Sequence, residues 1–317
     1  MNLDILVFAA HPDDAELSMG GTIAKFTHAD LRVGIIDFTR GELGTRGTAE
    51  TRQKEAFLAA ITLKAALREN LHIPDGNIQR TKENLMKIIM TIRRYKPKII
   101  FAPYFNDRHP DHIDTSKLVK EAMFSTGLSK IKTFDKEVIQ NAYRPNKLYY
   151  YMQTYSFEPS FIIDISNHFE TKMSAVKLYS SQFHNPKSTE PETFISRPEF
   201  INYIISRAQY YGFQIGKRYG EPFFCEEKIE LDLINVLKKI KYLVVFLVFI
   251  FVGFFFLKLT WHHYKMITYP YPLEFREGAM LVTTDLLVKG RNPFSWDEQP
   301  QHTNMYGIVY HLIVYPF

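Results

Sequence analysis

Apolar and polar positions in residues 1–145 follow two periods, one typical of strands and one typical of helices. Short and nearly continuous apolar runs, typical of buried strands, occupy residues 3–10, 31–39 and 98–104. Helix-like patterns occupy residues 20–29, 49–67, 84–95 and 116–124, with apolar residues at the 3.6-residue spacing over 49–67. Strands that alternate with helices in this way predict a parallel sheet covered by helices.

Beyond residue 145 the pattern weakens but keeps the same alternation. It predicts strands over residues 147–153 and 160–166 and a helix over 168–183. We therefore expect an α/β fold, a Rossmann-like parallel sheet with helices on both faces.

The composition changes abruptly near residue 241. Tyr242–Leu257 carries no charge and would form about 24 Å of helix. Extending this run through Lys258 to Trp261 gives about 30 Å, the thickness of a bilayer core. A buried apolar helix is the alternative, but no face of the run is polar. The sequence therefore predicts a C-terminal transmembrane helix over residues 242–261.

This span would divide the chain into four segments. They are an N-terminal domain (1–237), a basic juxtamembrane segment (238–241), the transmembrane helix (242–261) and an extracytoplasmic tail (262–317). The lysines of the basic segment, at 238, 239 and 241, place its side of the membrane in the cytoplasm by the positive-inside rule. We expect a single-pass membrane protein with its N-terminal domain in the cytoplasm.

Charge and cysteine content exclude several classes of protein. Lys and Arg exceed Asp and Glu by 39 to 34, but the excess forms no basic stripe and no nucleic-acid motif is present, so no nucleic-acid partner is expected. The single cysteine, Cys225, excludes a disulfide scaffold and a cysteine-rich zinc module. The spacing of Gly41, Gly44 and Gly47 is neither a dinucleotide fingerprint nor a P-loop.

Two of the predicted strands run into loops that carry imidazole and carboxylate groups. The first strand leads into Ala10–Asp14, which contains His11, and the strand over 98–104 leads into Asn106–His112. Open parallel sheets bind ligands at the carboxyl ends of their strands. A catalytic zinc ion takes about three nitrogen or oxygen ligands from the protein and keeps one position open. His11 and Asp14 are three residues apart in a tight turn, and His112 is the candidate third ligand.

Two polar residues in these loops are left over from that ligand set. Asp13 is a candidate base for a metal-bound water, and His109 could stabilise a developing oxyanion. Either loop alone is compatible with an ordinary turn, but two such loops in one sheet favour a metal site. Arg52, at the start of a predicted helix, is either a solvated charge or a clamp for a substrate anion. Gly20-Gly21 is compatible with an anion site at a helix N-terminus or with a tight turn.

Taken together, the motifs resemble the LmbE-like (PIG-L) family of zinc-dependent N-acetylglucosamine deacetylases. The resemblance covers roughly residues 1–235. It is carried by AHPDD at 10–14, GGTIAK at 20–25, RGELGTRGT at 40–48, ETRQKEA at 50–56 and DRHPDH at 107–112. Two further segments, YSSQFHNP at 179–186 and YGEPFF at 219–224, resemble the bacillithiol-pathway branch, whose members deacetylate N-acetylglucosaminyl malate.

The resemblance implies a role for each motif residue. The positions that match the zinc ligands are His11, Asp14 and His112. Asp13 matches the general base, and His109 matches the histidine that stabilises the oxyanion or protonates the leaving amine. Arg52 and, less specifically, Arg108 match substrate contacts. The expected cofactor is one Zn²⁺ per chain, with other divalent metals not excluded, and the expected substrate is a small amino-sugar conjugate.

Two other functions stay open at this point, and so does the oligomeric state. The substrate could be a lipid- or inositol-linked N-acetylglucosamine, or the domain could be a non-catalytic module fused to a membrane glycosyltransferase. The tail faintly resembles an extracytoplasmic loop of such enzymes, in which Glu274 and Glu277 would be the acidic residues of interest. Because the chain stops inside an apolar stretch, Gly307–Phe317, we expect a truncated fusion or a fragment of a longer reading frame.

Overall fold

The chain forms two compact units in the computed structural model, Met1–Ile229 and Glu230–Phe317. The structure describes residues 1–186, 188–230, 233–268 and 284–291. The first unit contains every predicted catalytic residue, and the second contains the predicted transmembrane helix.

The described part of the first unit contains six helices and nine strands. The helices are α1 (Asp14–His28), α2 (Ala49–Thr62), α3 (Lys82–Tyr95), α4 (Pro110–Ser125), α5 (Phe169–Lys177) and α6 (Pro198–Gln214). The strands are β1 (Ile5–Ala9), β2 (Val33–Asp37), β3 (Leu67–Asn70), β4 (Ile99–Pro103), β5 (Phe134–Asp135), β6 (Val138–Ile139), β7 (Lys147–Tyr151), β8 (Phe161–Asp164) and β9 (Gly220–Phe224).

Seven strands form one sheet in the order β3-β2-β1-β4-β7-β9-β8. The pairs from β3 to β7 are all parallel, which confirms the predicted fold class. The exception is β9, which is antiparallel to both β7 and β8. The strand order reverses between β1 and β4, so the loops that follow these two strands lie side by side at the switch point.

Alternate residues of β1 point into two separate hydrophobic cores. Val7 and Ala9 pack in the core beneath α1, α2 and α5, whereas Leu6 and Phe8 pack in the core beneath α3 and α4. All four side chains are fully buried. Helices therefore cover both faces of the sheet, as the nearly continuous apolar strands predicted.

The first helix begins earlier than its periodicity indicated. It starts at Asp14, so Gly20 and Gly21 lie inside the helix and form neither a turn nor an N-terminal anion site. A side chain at position 21 would bring its Cβ within 2.6 Å of the Ile165 Cδ1 atom. The glycine is thus explained by close packing, and the non-helical backbone at Met19 marks a kink beside the glycine pair.

The second helix ends earlier than its periodicity indicated. We predicted helix to residue 67, but α2 ends at Thr62 and Lys64 takes a positive φ of 54°. Leu67 then begins β3, whose Arg68 forms buried ion pairs with Glu16 and Asp37. A buried pairing with distant residues is invisible to local periodicity.

The second unit contains α7 (Leu233–Thr268). Within this helix Val245–Lys265, 21 residues with a mean hydropathy of 2.0, is long and apolar enough to cross a membrane, and it overlaps the predicted span. Glu274, Glu277 and the apolar stretch 307–317 lie outside the described residues.

Candidate active site

The two predicted loops meet at the carboxyl ends of β1 and β4. His11 lies two residues beyond β1, and Asp14 is the first residue of α1. On the other side, His109 caps the N-terminus of α4 and His112 lies in its first turn. The strand order alone therefore brings together residues that are about 100 positions apart in sequence.

Three buried side chains converge there with their ligand atoms within 4.8 Å of one another: His11, Asp14 and His112. The Asp14 carboxylate lies between the two imidazoles. Its Oδ2 atom is 3.3 Å from His11 Nδ1, and its Oδ1 atom is 3.3 Å from His112 Nε2. The His11 backbone N–H also donates to Asp14 Oδ2 at 2.9 Å, which fixes the carboxylate in place.

The other nitrogen of each imidazole faces a carboxylate outside this triad. His11 Nε2 lies 3.1 Å from Asp75 and 3.3 Å from Asp111, and His112 Nδ1 lies 2.9 Å from Asp107. Histidines that bind metals usually have their second nitrogen oriented by a carboxylate in this way.

These orienting carboxylates were missed by the sequence reasoning. Asp107 and Asp111 lie within a motif already singled out, so a search for partners of the ligands could have found them. Asp75 had no such signal, because Pro74-Asp75-Gly76 reads as an ordinary turn.

The donor set fits a divalent metal of the zinc type. Two imidazole nitrogens and one carboxylate oxygen are suited to such an ion, and all three residues are buried. A second group, in which His109 and Asp111 join His11, also has suitable spacing. In that group, however, His109 Nδ1 already accepts the Asp111 backbone N–H and Asp111 accepts the Gly76 backbone N–H. The first group is therefore the better candidate.

The carboxylates alter the pKa values of both imidazoles. Burial lowers the pKa of His112, but Asp14 and Asp107 outweigh burial and raise it to about 9. Burial likewise opposes the charged form of His11, yet Asp111, Asp14 and Asp75 raise its pKa well above the usual value. Without a metal, both rings are protonated at neutral pH.

We expect the metal affinity to fall as the pH is lowered from 8 to 6. Each of the two imidazoles must lose a proton before its nitrogen can bind a metal. The apparent affinity should therefore drop by about 10- to 100-fold per pH unit, for one or two displaced protons. Competition with a chelator of known affinity at pH 6, 7 and 8 measures this. A flat profile would contradict the assignment of both histidines as ligands.

Substitution of Asp107 should weaken the metal without unfolding the protein. Asp107 orients the His112 ring and also accepts the Thr154 backbone N–H at 2.7 Å. Asp107→Asn keeps the shape and one acceptor oxygen, so we expect metal affinity to fall by about 10- to 100-fold. Metal titration should show this loss, while circular dichroism reports whether the fold is kept. Unchanged affinity would mean that Asp107 does not orient the ligand.

Asp13 is held beside the triad in an unusual backbone conformation. Its φ of 115° is rare for a non-glycine residue. The guanidinium of Arg52 donates to the Pro12 carbonyl at 2.6 Å and to Asp13 Oδ2 at 3.2 Å. Burial raises the pKa of Asp13 to about 7, against the opposing effect of Arg52. A carboxylate that titrates near neutral pH is suited to accept and return a proton.

Close packing determines the position of Arg52. A side chain at Gly41, where φ is 66°, would place its Cβ only 2.0 Å from Arg52 Nη1. The same nitrogen also donates to the Gly41 carbonyl at 3.3 Å. The structure thus places Arg52 against Asp13. Gly41, one of the glycines noted in the sequence, leaves room for the guanidinium.

His109 lies beside the triad, with the centre of its ring 4.8 Å from that of His11, and is more exposed than the three ligands. Its Nδ1 atom accepts the Asp111 backbone N–H at 3.2 Å, so the neutral ring carries its proton on Nε2. Burial, followed by the charges of His11 and His112, lowers the pKa of His109. His109 is therefore a neutral hydrogen-bond donor at neutral pH.

A cavity of about 550 Å³ opens above these residues. All seven predicted site residues line it: His11, Asp13, Asp14, Arg52, Arg108, His109 and His112. The guanidinium of Arg108 lies 4.8 Å from the centre of the Phe194 ring, which adds an aromatic wall from the second half of the unit. Further lining by Phe200, Tyr203 and Arg207 comes from α6, a helix that we did not predict.

The chain is similar to known deacetylases. Residues 6–123 match the family described as PIG-L: GlcNAc-PI de-N-acetylase. The diacetylchitobiose deacetylase of Thermococcus kodakarensis is 29% identical over 229 residues, which cover 68% of this chain and 80% of that protein.

Two solved structures extend the similarity through the first unit. The conserved protein TT1542 of Thermus thermophilus is 35% identical with a TM-score of 0.65, and the match covers 72% of this chain and 97% of that one. The N,N'-diacetylchitobiose deacetylase of Pyrococcus horikoshii, complexed with its inhibitor, is 26% identical with a TM-score of 0.59 over 69% and 82% of the two chains.

Proposed function

The chain belongs to the PIG-L (LmbE-like) family, and on this basis we propose that its first unit is a metal-dependent N-deacetylase that acts on N-acetylglucosamine conjugates. One observation carries the proposal: a buried His-Asp-His triad lines one cavity together with Asp13 and His109. Hydrolysis of an amide needs a base for the attacking water and a donor for the oxyanion, and the cavity offers both.

We assign the metal to His11, Asp14 and His112, with zinc as the proposed ion. A zinc ion held there would supply a Lewis acid and would lower the pKa of a bound water towards about 7. The family and the nitrogen and oxygen donor set support this assignment.

Asp13 and His109 have complementary roles in the proposed hydrolysis. Asp13 takes a proton from the attacking water as its oxygen adds to the acetamide carbonyl carbon. The Nε2–H group of His109 donates to the carbonyl oxygen, on which the negative charge of the oxyanion develops. Asp13 then returns its proton to the amine nitrogen as the C–N bond breaks, which releases the free amine and acetic acid, and the acid ionises to acetate at neutral pH.

The two arginines are proposed to have different roles. The hydrogen bonds of Arg52 to Pro12 and Asp13 support a role in holding the base, with substrate contact as a second role along the cavity wall. Arg108 has no such bond to Asp13 and is the better candidate for an anionic group of the substrate. A carboxylate on the aglycone would suit a guanidinium at that position.

For the substrate we propose N-acetylglucosaminyl malate, which combines the acetamide with two carboxylates. The bacillithiol-branch segments at 179–186 and 219–224 support it. The similarity to two diacetylchitobiose deacetylases favours a neutral disaccharide as the second candidate. A lipid- or inositol-linked N-acetylglucosamine is a third.

Acetate release by the full-length chain, purified in detergent and loaded with zinc, tests the proposal. N-acetylglucosaminyl malate, diacetylchitobiose and free N-acetylglucosamine are compared side by side, and we expect the malate conjugate to have the highest kcat/KM. A preference for chitobiose would overturn the proposed substrate but keep the reaction. Absence of release together with absence of stoichiometric metal would instead support a non-catalytic module.

We also propose that Val245–Lys265 crosses a membrane and that the first unit is cytoplasmic. The length and hydropathy of the helix and the three lysines of the basic segment support this arrangement. In sealed inside-out vesicles, added protease should digest the first unit. In vesicles of the opposite orientation, the first unit should be protected from the protease.

A further inference from the structure

The β5–β6 hairpin exposes an unusual number of apolar side chains. Phe134 is 52% exposed, Val138 68% and Ile139 53%. Phe134 and Ile139 are directly opposed in the two strands, so their side chains lie on the same face of the ribbon. Exposed apolar clusters of this kind typically mark a contact surface.

Basic residues lie close in sequence to these apolar side chains. The exposed lysines of the hairpin and its preceding loop are Lys130, Lys132 and Lys136. Of the two acidic residues in the hairpin, Asp135 is paired with Arg94 at 3.0 Å, whereas Glu137 is exposed. Surfaces that combine exposed apolar side chains with lysines are typical of segments that bind anionic lipid surfaces. We call residues 128–139 the basic hairpin.

The basic hairpin is fastened to α3 and is not a loose loop. Arg93 donates to the backbone carbonyls of Thr126, Leu128 and Ile131 at 2.6 to 3.0 Å. Gln140, just after the hairpin, donates to the Met90 carbonyl at 2.9 Å. These bonds hold the apolar side chains outward, so their exposure is built into the fold.

The polypeptide leaves the first unit at the same edge of the sheet. The basic hairpin is followed, after residues 140–146, by β7, whose first residue, Lys147, pairs with Glu227 at 2.6 Å. Leu233, the first residue of α7, follows Glu227 by six positions, which span at most about 20 Å. Val245, the first residue of the proposed span, lies twelve positions further on, about 18 Å along the helix. The amino ends of the parallel strands therefore carry both the hairpin and the connection to the apolar helix.

We propose that the basic hairpin docks on the surface of an anionic bilayer, with its apolar side chains in the headgroup region. This inference rests on the membrane anchoring proposed above and is independent of the deacetylase chemistry. The covalent connection limits how far the first unit can move from the bilayer, and the lysines complement the negative charge of the cytoplasmic leaflet.

Docking at this edge has a consequence for the substrate. The cavity lies at the carboxyl ends of β1 and β4, which is the opposite edge of the sheet. A docked hairpin therefore directs the cavity towards the aqueous phase. This orientation favours a water-soluble conjugate over a substrate whose lipid remains in the membrane.

The test uses the full-length chain in lipid nanodiscs that contain either phosphatidylcholine alone or about 30% phosphatidylserine, an anionic surface of the kind that attracts basic segments. A fluorophore is attached to Val138→Cys in a Cys225→Ser background, with nitroxide lipids as the membrane quencher and iodide as the aqueous quencher. The matched control carries the label at Leu43→Cys, an exposed position in the loop that follows β2 at the cavity edge. Lys130→Gln, Lys132→Gln and Lys136→Gln are then combined to remove the three lysines.

In anionic discs we expect lipid quenching of the label at position 138 but not at position 43. Removal of the three lysines should lower the docked-to-undocked ratio about 100-fold, and phosphatidylcholine discs should show a similar loss. If the labels at positions 138 and 43 were equally accessible to the aqueous quencher, the proposal would be overturned. Protection of the label at position 138 from the aqueous quencher without quenching by lipid would also overturn it, because another protein surface would then cover the hairpin. A chain that fails to enter the discs would refute the anchoring itself, whatever its acetate release.

Discussion

Asp13→Asn is expected to lower kcat by about 10²- to 10⁴-fold while the protein keeps its metal. The substitution preserves the size of the side chain and its hydrogen bond from Arg52, but the amide cannot accept the proton of the attacking water. Because Asp13 is not one of the three converging ligands, metal content should stay at one per chain. Acetate release and metal analysis on the same preparation measure both quantities.

Asp114→Asn is a matched control for this variant. Asp114 is a half-exposed carboxylate on α4 that pairs only loosely with Lys117, at 3.6 Å, and it does not line the cavity. Its substitution should leave kcat unchanged. If Asp13→Asn retained near-normal turnover, the base would have to be another group. If Asp13→Asn lost the metal, its inactivity would result from the loss of the metal and would not identify Asp13 as the base.

His11→Ala should abolish metal binding and activity together. His11 supplies one of only three ligand atoms in the triad, and its loss also leaves Asp75 and Asp111 without their shared partner. Removal of a ligand should exceed the effect of about 10- to 100-fold expected for an orienting carboxylate, so we expect a loss of more than about 100-fold in metal affinity. Metal analysis after dialysis and acetate release at saturating zinc test this.

The control for this variant is His28→Ala, which removes an exposed imidazole at the C-terminal end of α1. It should retain one metal per chain and full activity. Tight metal binding by His11→Ala would remove His11 from the ligand set and would favour a different group. Recovery of activity at high zinc concentration, in contrast, would support a weakened but correctly identified site.

Much of the first unit could be predicted from local patterns. The strands and helices that line the switch point repeat their apolar residues at clear periods, and the two polar loops follow directly from two of those strands. Parallel strand order then brings His11 and His112 to one edge without any further information. The fold class is confirmed by the structure, whereas the roles of the site residues remain predictions.

Other features could not be predicted because their cause is non-local. Arg68 is placed in a strand by ion pairs with Glu16 and Asp37, which lie far before it in the chain. The direction of β9 depends on pairing with two strands that precede it by more than 50 residues. The helical spacing of apolar residues continues through residues 63–67 and indicates neither the ion pairs of Arg68 nor the pairing of β9.

What the sequence determined by itself was therefore the class of chemistry and the alternation of elements, together with an apolar segment long enough to span a bilayer. These depend on residue type and on spacing over a few positions. Only the tertiary structure decided that Asp75 and Asp107 orient the imidazoles, that Arg52 holds Asp13, and that α6 closes the cavity. Each of those contacts depends on packing that no local pattern records, because the elements it joins meet only in the folded chain.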